Sequence, residues 1–200
     1  MARLLVLDTE TGGTDPLVHN ILSIGCVIWE DGVLGERSEF LIAEPEVSVT
    51  KEALAVNNIN VDRHWMIALP PNEAMRVFLQ FLTTHFAAEI MSGEKITLVG
   101  HNVSFDVGFL QRFFRICGVS YRDYFSHRTV DTATIVRFLE LVGAIPLKSA
   151  SSTGAFEYFK IQVPDGKRHT AMADAVATGE LLSRLVESGR GSKTKRKSAA

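Results

Sequence analysis

Leu4-Leu5-Val6-Leu7-Asp8-Thr9-Glu10-Thr11-Gly12-Gly13 decides how the rest of the chain is read. An apolar run that ends in polar residues and glycines predicts a buried strand leading into a loop. Strand side chains alternate between faces, so Asp8 and Glu10, two residues apart, point the same way. Two acids on one face beside a buried strand end repel each other, and folding disfavours both ionised forms. A divalent cation resolves this, because hard cations such as Mg²⁺ take carboxylate oxygens together with substrate phosphates. An isolated D-x-E pair more often faces solvent in a loop, so the pair needs company elsewhere in the chain.

Ile21–Trp29 and Glu36–Ile42 are the next expected strands, and Glu30-Asp31-Gly32 between them has the composition of a hairpin turn. Three consecutive strands with a tight turn imply an antiparallel meander. From Lys51 the texture changes, and the segment through Trp65 has no clear period. Pro70-Pro71 then opens a helix with Ala74, Phe78, Phe81, Leu82 and His85 at helical spacing. Ile96–Val99 reads as a strand and Gly100-His101-Asn102 as a turn. Ser104 is the expected N-cap of a helix that buries Phe105, Phe109, Phe113 and Ile116 and ends at Gly118. Thr129–Asp131 is a short strand feeding a helix with Ile135, Val136, Leu139 and Val142, stopped by Gly143 and Pro146. Ala155–Phe159 suggests one more short helix, and a last helix starts near Thr170, ends near Glu187 and turns Leu181, Leu182 and Leu185 inward. The order predicts an α/β protein with a mixed five-stranded sheet and helices packed on it.

The chain has 200 residues, enough for one domain with a real core, and its apolar and charged shares of 46% and 22% are those of a globular protein. The formal net charge of -2 argues on average against a dedicated polyanion binder. The average conceals a division, because five basic and no acidic residues follow Arg190 inclusive. Residues 1–189 carry 16 basic against 23 acidic residues, a net of -7. We therefore expect a domain over residues 1–188 and a basic, disordered tail over 189–200. No run of about 18 apolar residues exists, which excludes a helical membrane span. The start lacks the long apolar region of a signal peptide, and Cys26 and Cys117 lack metal-ligand spacing. Reduced core thiols in a cytoplasmic protein are the expectation.

Company for Asp8 and Glu10 comes from two places. Asp106 lies in the first turn of the helix after the fourth strand, where the helix dipole alone favours an acid. That strand-turn-helix also brings it beside Asp8 if the first and fourth strands are neighbours. Arg168-His169-Thr170-Ala171-Met172-Ala173-Asp174 is the third element. Five residues along one helix rotate about 140°, so His169 and Asp174 share a face only if Thr170 caps the helix and His169 lies in the preceding loop. Ala171, Ala173, Ala175 and Ala177 would let this helix approach the sheet closely.

Leu7–Gly13, His101–Asp106 and His169-xxxx-Asp174 together resemble the three motifs of the DEDDh branch of the DnaQ-like 3′–5′ exonucleases, in family order over roughly residues 3–187. That family includes polymerase proofreading subunits, ribonuclease T and oligoribonuclease. The resemblance implies a ribonuclease-H-like fold and a metal-dependent hydrolase that releases nucleoside 5′-monophosphates from the 3′ ends of single-stranded DNA or RNA. It implies that Asp8, Glu10, Asp106 and Asp174 hold two divalent cations, Mg²⁺ or Mn²⁺, about 4 Å apart, with His169 as general base. It further places Thr11, Gly12, Leu54, Asn57 and Phe105 against the terminal nucleotide, with core packing the alternative for Leu54. A homodimer and a polymerase partner in trans fit the same family, as does a role in DNA repair. The bland reading applies to Asp131, as a helix N-cap, and to His101, as a support of its turn. The competing function is an inactive nucleic-acid-binding or scaffold module of the same fold. Such modules normally lose an acidic ligand, and here all five motif residues are present. An endonuclease is disfavoured by the His169-xxxx-Asp174 element.

Overall fold

The computed structural model describes residues 3–146, 151–163 and 170–197, with side chains described as far as Arg190. The leading strand, β1 (Arg3–Thr11), pairs antiparallel with β2 (Ile21–Glu30), which pairs antiparallel with β3 (Val33–Leu41). On the other side β1 pairs in parallel with β4 (Ile96–Gly100), and β4 in parallel with β5 (Phe125–Asp131). The sheet order β3-β2-β1-β4-β5 is the expected mixed five-stranded sheet, and the first and fourth strands are neighbours.

Alternation along β1 divides the core into two. Leu5 and Leu7 join Phe78 and Leu82 of α3 (Pro71–His85) and Phe109 and Phe113 of α5 (Val103–Ile116) on one face. Val6 points the other way, into a cluster with Val27, Trp29, Val99 and Leu182 of α9 (Ala171–Lys197). Asp8 and Glu10 share the parity of Val6, so they belong to the α9 face. The helix α9 continues through the stretch assigned to the basic tail, as far as Lys197.

Burial of α9 follows a four-residue rhythm of small side chains. Ala171, Ala175 and Gly179 are buried, and Ser183 accepts a hydrogen bond from Trp29 Nε1 at 2.8 Å. Ala177 turns instead toward Phe156 of α8 (Ser152–Tyr158) and Val136 of α7 (Thr132–Leu141), in a third cluster with Leu181 and Leu185. The stripe that meets the sheet is thus Ala171-Ala175-Gly179-Ser183 rather than the alternate alanines.

Several local expectations change. The segment without a clear period folds as two short helices, α1 (Lys51–Asn57) and α2 (Val61–Ile67), each with a side-chain cap, Thr50 and Asn60. Ser104 is not an N-cap. Asn102 takes that position in the left-handed region (φ 69), and its backbone N–H is held by Asp131 Oδ1 at 2.8 Å, so the helix begins one residue before Ser104. Ile116 and Val142 sit at the ends of their helices and are 45% and 58% exposed, because the final turns rotate past the core. Two connectors carry no strong period and were not expected: α4 (Ala87–Ser92) and α6 (Tyr121–Tyr124).

Candidate active site

The site is assembled on one row of the sheet. Asp8 lies across from Gly25 of β2, and Gly25 lies across from Glu39 of β3. Residues directly opposed in an antiparallel pair share a face, so all three look toward α9. At Gly25 the N-terminus of α9 comes down onto the sheet, and a Cβ built there would overlap the main chain of Ala171 and Met172. Beside it the Glu39 carboxylate accepts a hydrogen bond from the Met172 backbone N–H. A glycine that admits the helix and an acid that holds its first turn fix where α9 starts.

The cap of α9 is the expected one. Thr170 Oγ1 accepts from Ala173 N at 3.3 Å, and its carbonyl accepts from Asp174 N at 3.0 Å. Asp174 is therefore delivered one turn into the helix, over the end of β1. Asp8, Glu10 and Asp174 each offer a carboxylate oxygen, all within 4.8 Å of one another and all half-buried. Three carboxylates this close suit a hard divalent cation and little else. Burial, first, and then the charges of Asp174, Glu39 and Asp106 push Glu10 up to about 8. The donor set thus fits a metal on chemical grounds, because the apo protein must keep a proton where a cation would neutralise the charge.

Asp106 stands apart from this group. Thr9, on the opposite face of β1 from its two acidic neighbours, donates to Asp106 Oδ1 at 2.8 Å. The carboxyl is 4% exposed, and burial drives it up to about 7 despite that hydrogen bond. Asp106 thus approaches the acids through the α5 side of β1, and its charge is felt at Glu10. His169 lies outside the described residues.

Hydrogen bonds tie the start of the 11–13 loop to α1 and its cap. Asn57 Nδ2 donates to the Thr11 carbonyl at 3.2 Å, and Thr50 N donates to the Gly12 carbonyl at 2.6 Å. Gly12 is a place of close approach, but what approaches it is the chain itself. A Cβ there would lie 2.5 Å from the Ser48 carbonyl oxygen and 2.8 Å from Val49 Cγ1. Leu54 is half-buried on α1, and Phe105 leans on Phe109 with ring centroids 5.0 Å apart.

The bland readings hold where they were made. Asp131 caps α7 by accepting from Ala133 N, and it also holds Asn102. His101 Nδ1 pairs with Thr132 Oγ1 at 3.0 Å, which in turn donates to the Gly100 carbonyl, so the turn is braced. Arg112 is paired through both terminal nitrogens with the buried Glu44, at 2.7 and 2.6 Å, and is not a free cation for phosphate.

Gly25 and Glu39 are the residues that sequence reasoning missed. Ile24-Gly25-Cys26 carried a readable signal, since glycine inside an apolar strand often marks a close backbone approach. Glu39 carried none, because an acid in an alternating strand reads as a solvent-facing position.

Glu10 and Asp106 make the metal-free protein pH-sensitive. Both are pushed above the usual carboxylate range, to about 8 and about 7, so the folded state holds these protons more tightly than the unfolded chain does. The associated stability is present at low pH and is lost as pH rises through the folded values. In chelator the melting temperature should fall between pH 5 and 8.5, and Mn²⁺ should abolish the fall. A flat profile in chelator contradicts the crowding of these acids.

Comparisons place the chain among known proteins. Ribonuclease T of Wigglesworthia glossinidia brevipalpis is 26% identical over 188 residues, which cover 91% of this chain and 83% of that protein. The PolC-type DNA polymerase III of Halalkalibacterium halodurans is 28% identical over 186 residues, 93% of this chain but only 11% of the polymerase. In structure, E. coli exonuclease I in complex with a dT13 oligonucleotide superposes with a TM-score of 0.71 at 17% identity, over 92% of this chain and 41% of that one. Cell-death related nuclease 4 gives 0.72 at 16% identity, over 94% and 64%. The chain thus spans about two-fifths of exonuclease I and about a tenth of the polymerase. A model of the RNase T family, described as Exonuclease, matches residues 5–182, from the first buried strand to the middle of α9, and so takes in every element that builds the acidic cluster. With the sheet order, the acids and this match in agreement, the chain belongs to the exonuclease family.

Proposed function

We propose that the protein is a metal-dependent 3′–5′ exonuclease that releases nucleoside 5′-monophosphates from single-stranded DNA or RNA. The observation that carries this reading is the convergence of Asp8, Glu10 and Asp174 within 4.8 Å at the end of β1. These three, with Asp106 from the α5 side, would hold two divalent cations, Mg²⁺ or Mn²⁺. Bound there, the ions lower the pKa of an attacking water and stabilise the leaving 3′-oxygen. His169, one residue before the cap of α9, would take the proton of that water, since imidazole titrates near neutral pH. Thr11, Gly12, Leu54, Asn57 and Phe105 would position the terminal nucleotide. The Asn57 bond to Thr11 makes α1 and the 11–13 loop a single unit, which supports a shared role.

Partners and place follow from the same reading. A polymerase acting in trans is supported by the similarity to a stretch of a PolC-type polymerase. The homodimer rests on the family resemblance. Both cysteines are free and Cys26 is buried, which supports a cytoplasmic enzyme; a role in DNA repair rests on the family resemblance. Among the described residues no helix is long and apolar enough to cross a membrane.

The test uses 5′-labelled single-stranded DNA and RNA with Mn²⁺, with and without chelator. A ladder shortening one nucleotide at a time from the 3′ end, abolished by chelator, is the expected result. The better of the two substrates assigns DNA or RNA. Internal cuts, or binding without any cutting, would instead favour an endonuclease or an inactive binding module.

A further inference from the structure

At the end of the sheet away from the acids, a cavity of about 600 Å³ opens between α5, α6 and the edge strand β5. Lys95, Arg122, His127 and Arg128 line it, together with the rings of Tyr121 and Phe125, and no carboxylate does. In a body of net charge -7 the grouping of Lys95, Arg122 and Arg128 stands out.

The fold does not use these charges. Arg122, His127 and Arg128 are exposed and make no ion pair among the described residues. Lys95 Nζ donates to the Asp123 carbonyl at 2.8 Å, which aims the ammonium without neutralising it. Like charges held side by side cost stability unless an anion offsets them. The half-buried Tyr121 ring forms part of the wall and packs on the buried Phe125 at 4.9 Å between centroids. The Tyr121 hydroxyl is buried with no hydrogen-bond partner among the described residues, and burial holds it protonated, up to about 12, so it remains a donor. Two arginines without an ion pair among the described residues and a lysine beside one half-buried tyrosine ring suit the phosphates of a single strand.

Strand register gives the distance. Leu5 pairs with Leu98, Asp8 lies three residues beyond Leu5, and Lys95 lies three residues before Leu98. Six residues of strand separate the two levels by roughly 20 Å. Several nucleotides of a single strand bridge such a gap by passing over the exposed outer edge of β5.

We propose that this cavity is a second nucleic-acid contact, holding phosphates of the single strand upstream of the 3′ end at the acids. The identity of the ligand rests on the exonuclease reading; the binding itself needs no metal.

The test measures binding in chelator, by fluorescence anisotropy of labelled oligothymidylates of about 15 and about 4 nucleotides, lengths that span or fall short of an extended site. The variant is R122E/R128E, at two exposed positions outside the acidic cluster. It should bind the long oligonucleotide at least about tenfold more weakly, with a salt slope shallower by about 1.4, as expected for two lost phosphate contacts on a single strand. Binding of the short one, and its cutting in Mn²⁺, should stay within about twofold of wild type. Wild-type affinity and salt slope for the long oligonucleotide in the variant would overturn the proposal. So would displacement of the long oligonucleotide by millimolar thymidine 5′-monophosphate in wild type and not in the variant, which would assign the cavity to a free nucleotide. If no oligonucleotide is cut in Mn²⁺ while the binding difference persists, the exonuclease reading fails and the contact stands.

Discussion

Replacing Gly25 by valine should cost roughly a hundredfold or more in turnover without touching an acid, the scale of loss that a misplacement of about 1 Å brings. The side chain would occupy the space taken by the main chain of Ala171 and Met172. Helix α9 would have to lift, and Asp174 would leave Asp8 and Glu10. Overpacking should also lower stability by about 1–3 kcal/mol, so melting is measured beside activity. Gly25→Ala should fall between the two. Gly35→Ala is the control, because a Cβ there meets nothing closer than Ile28 at 3.7 Å, and its turnover should match wild type. A folded Gly25→Val protein with full turnover would show that the start of α9 does not set the site.

Asp174→Asn should do something less usual: it should inactivate the enzyme and stabilise the metal-free protein. A lost anionic ligand removes several kcal/mol of transition-state stabilisation, or roughly 10²–10³ in turnover. Without metal, however, Asp174 is the leading charge that pushes Glu10 up, behind burial itself. Removing it relieves that repulsion. A gain of about 1 kcal/mol would raise the melting temperature by about 2–4 °C in a chain of this size. The gain should vanish when Mn²⁺ is added, since wild type then gains more from the metal. Calorimetry with and without Mn²⁺ reads both signs. A destabilised, metal-free Asp174→Asn protein would mean that Asp174 has a structural role that outweighs its charge.

These outcomes depend on features of unequal visibility. The Asp8–Glu10 face was legible because strand alternation is strict, and the capping of α9 by Thr170 because a β-hydroxyl before a run of alanines has one obvious use. Register was not legible. Nothing local to Gly25 or Glu39 says that they lie in one row with Asp8, since that follows from pairings across three strands. The same holds for Asp106, whose neighbour Thr9 lies on the face that the D-x-E pattern ignores. Asn102 replaced Ser104 as the cap because a contact from Asp131, 29 residues away, settled the backbone there. Nothing local to Arg112 shows that it is paired, because Glu44, its partner, is 68 residues distant. Periodicity reports which way a residue faces, whereas charge pairing and close approach are settled by what the fold brings opposite.

If Asp8, Glu10 and Asp174 form a metal site, these acids are too crowded for all of them to be ionised in the metal-free protein. Titration calorimetry with Mn²⁺ at pH 7, repeated in buffers of different ionisation enthalpy, tests it most directly. Because Glu10 keeps its proton up to about 8, metal binding should expel it. The observed heat should therefore vary with the buffer as required by release of about one proton from Glu10 and up to about half a proton from Asp106, and the larger part of that release should be lost in Glu10→Gln. Mn²⁺ binding with no buffer dependence, or binding unchanged in Asp174→Asn, would rule out a metal site at these crowded acids.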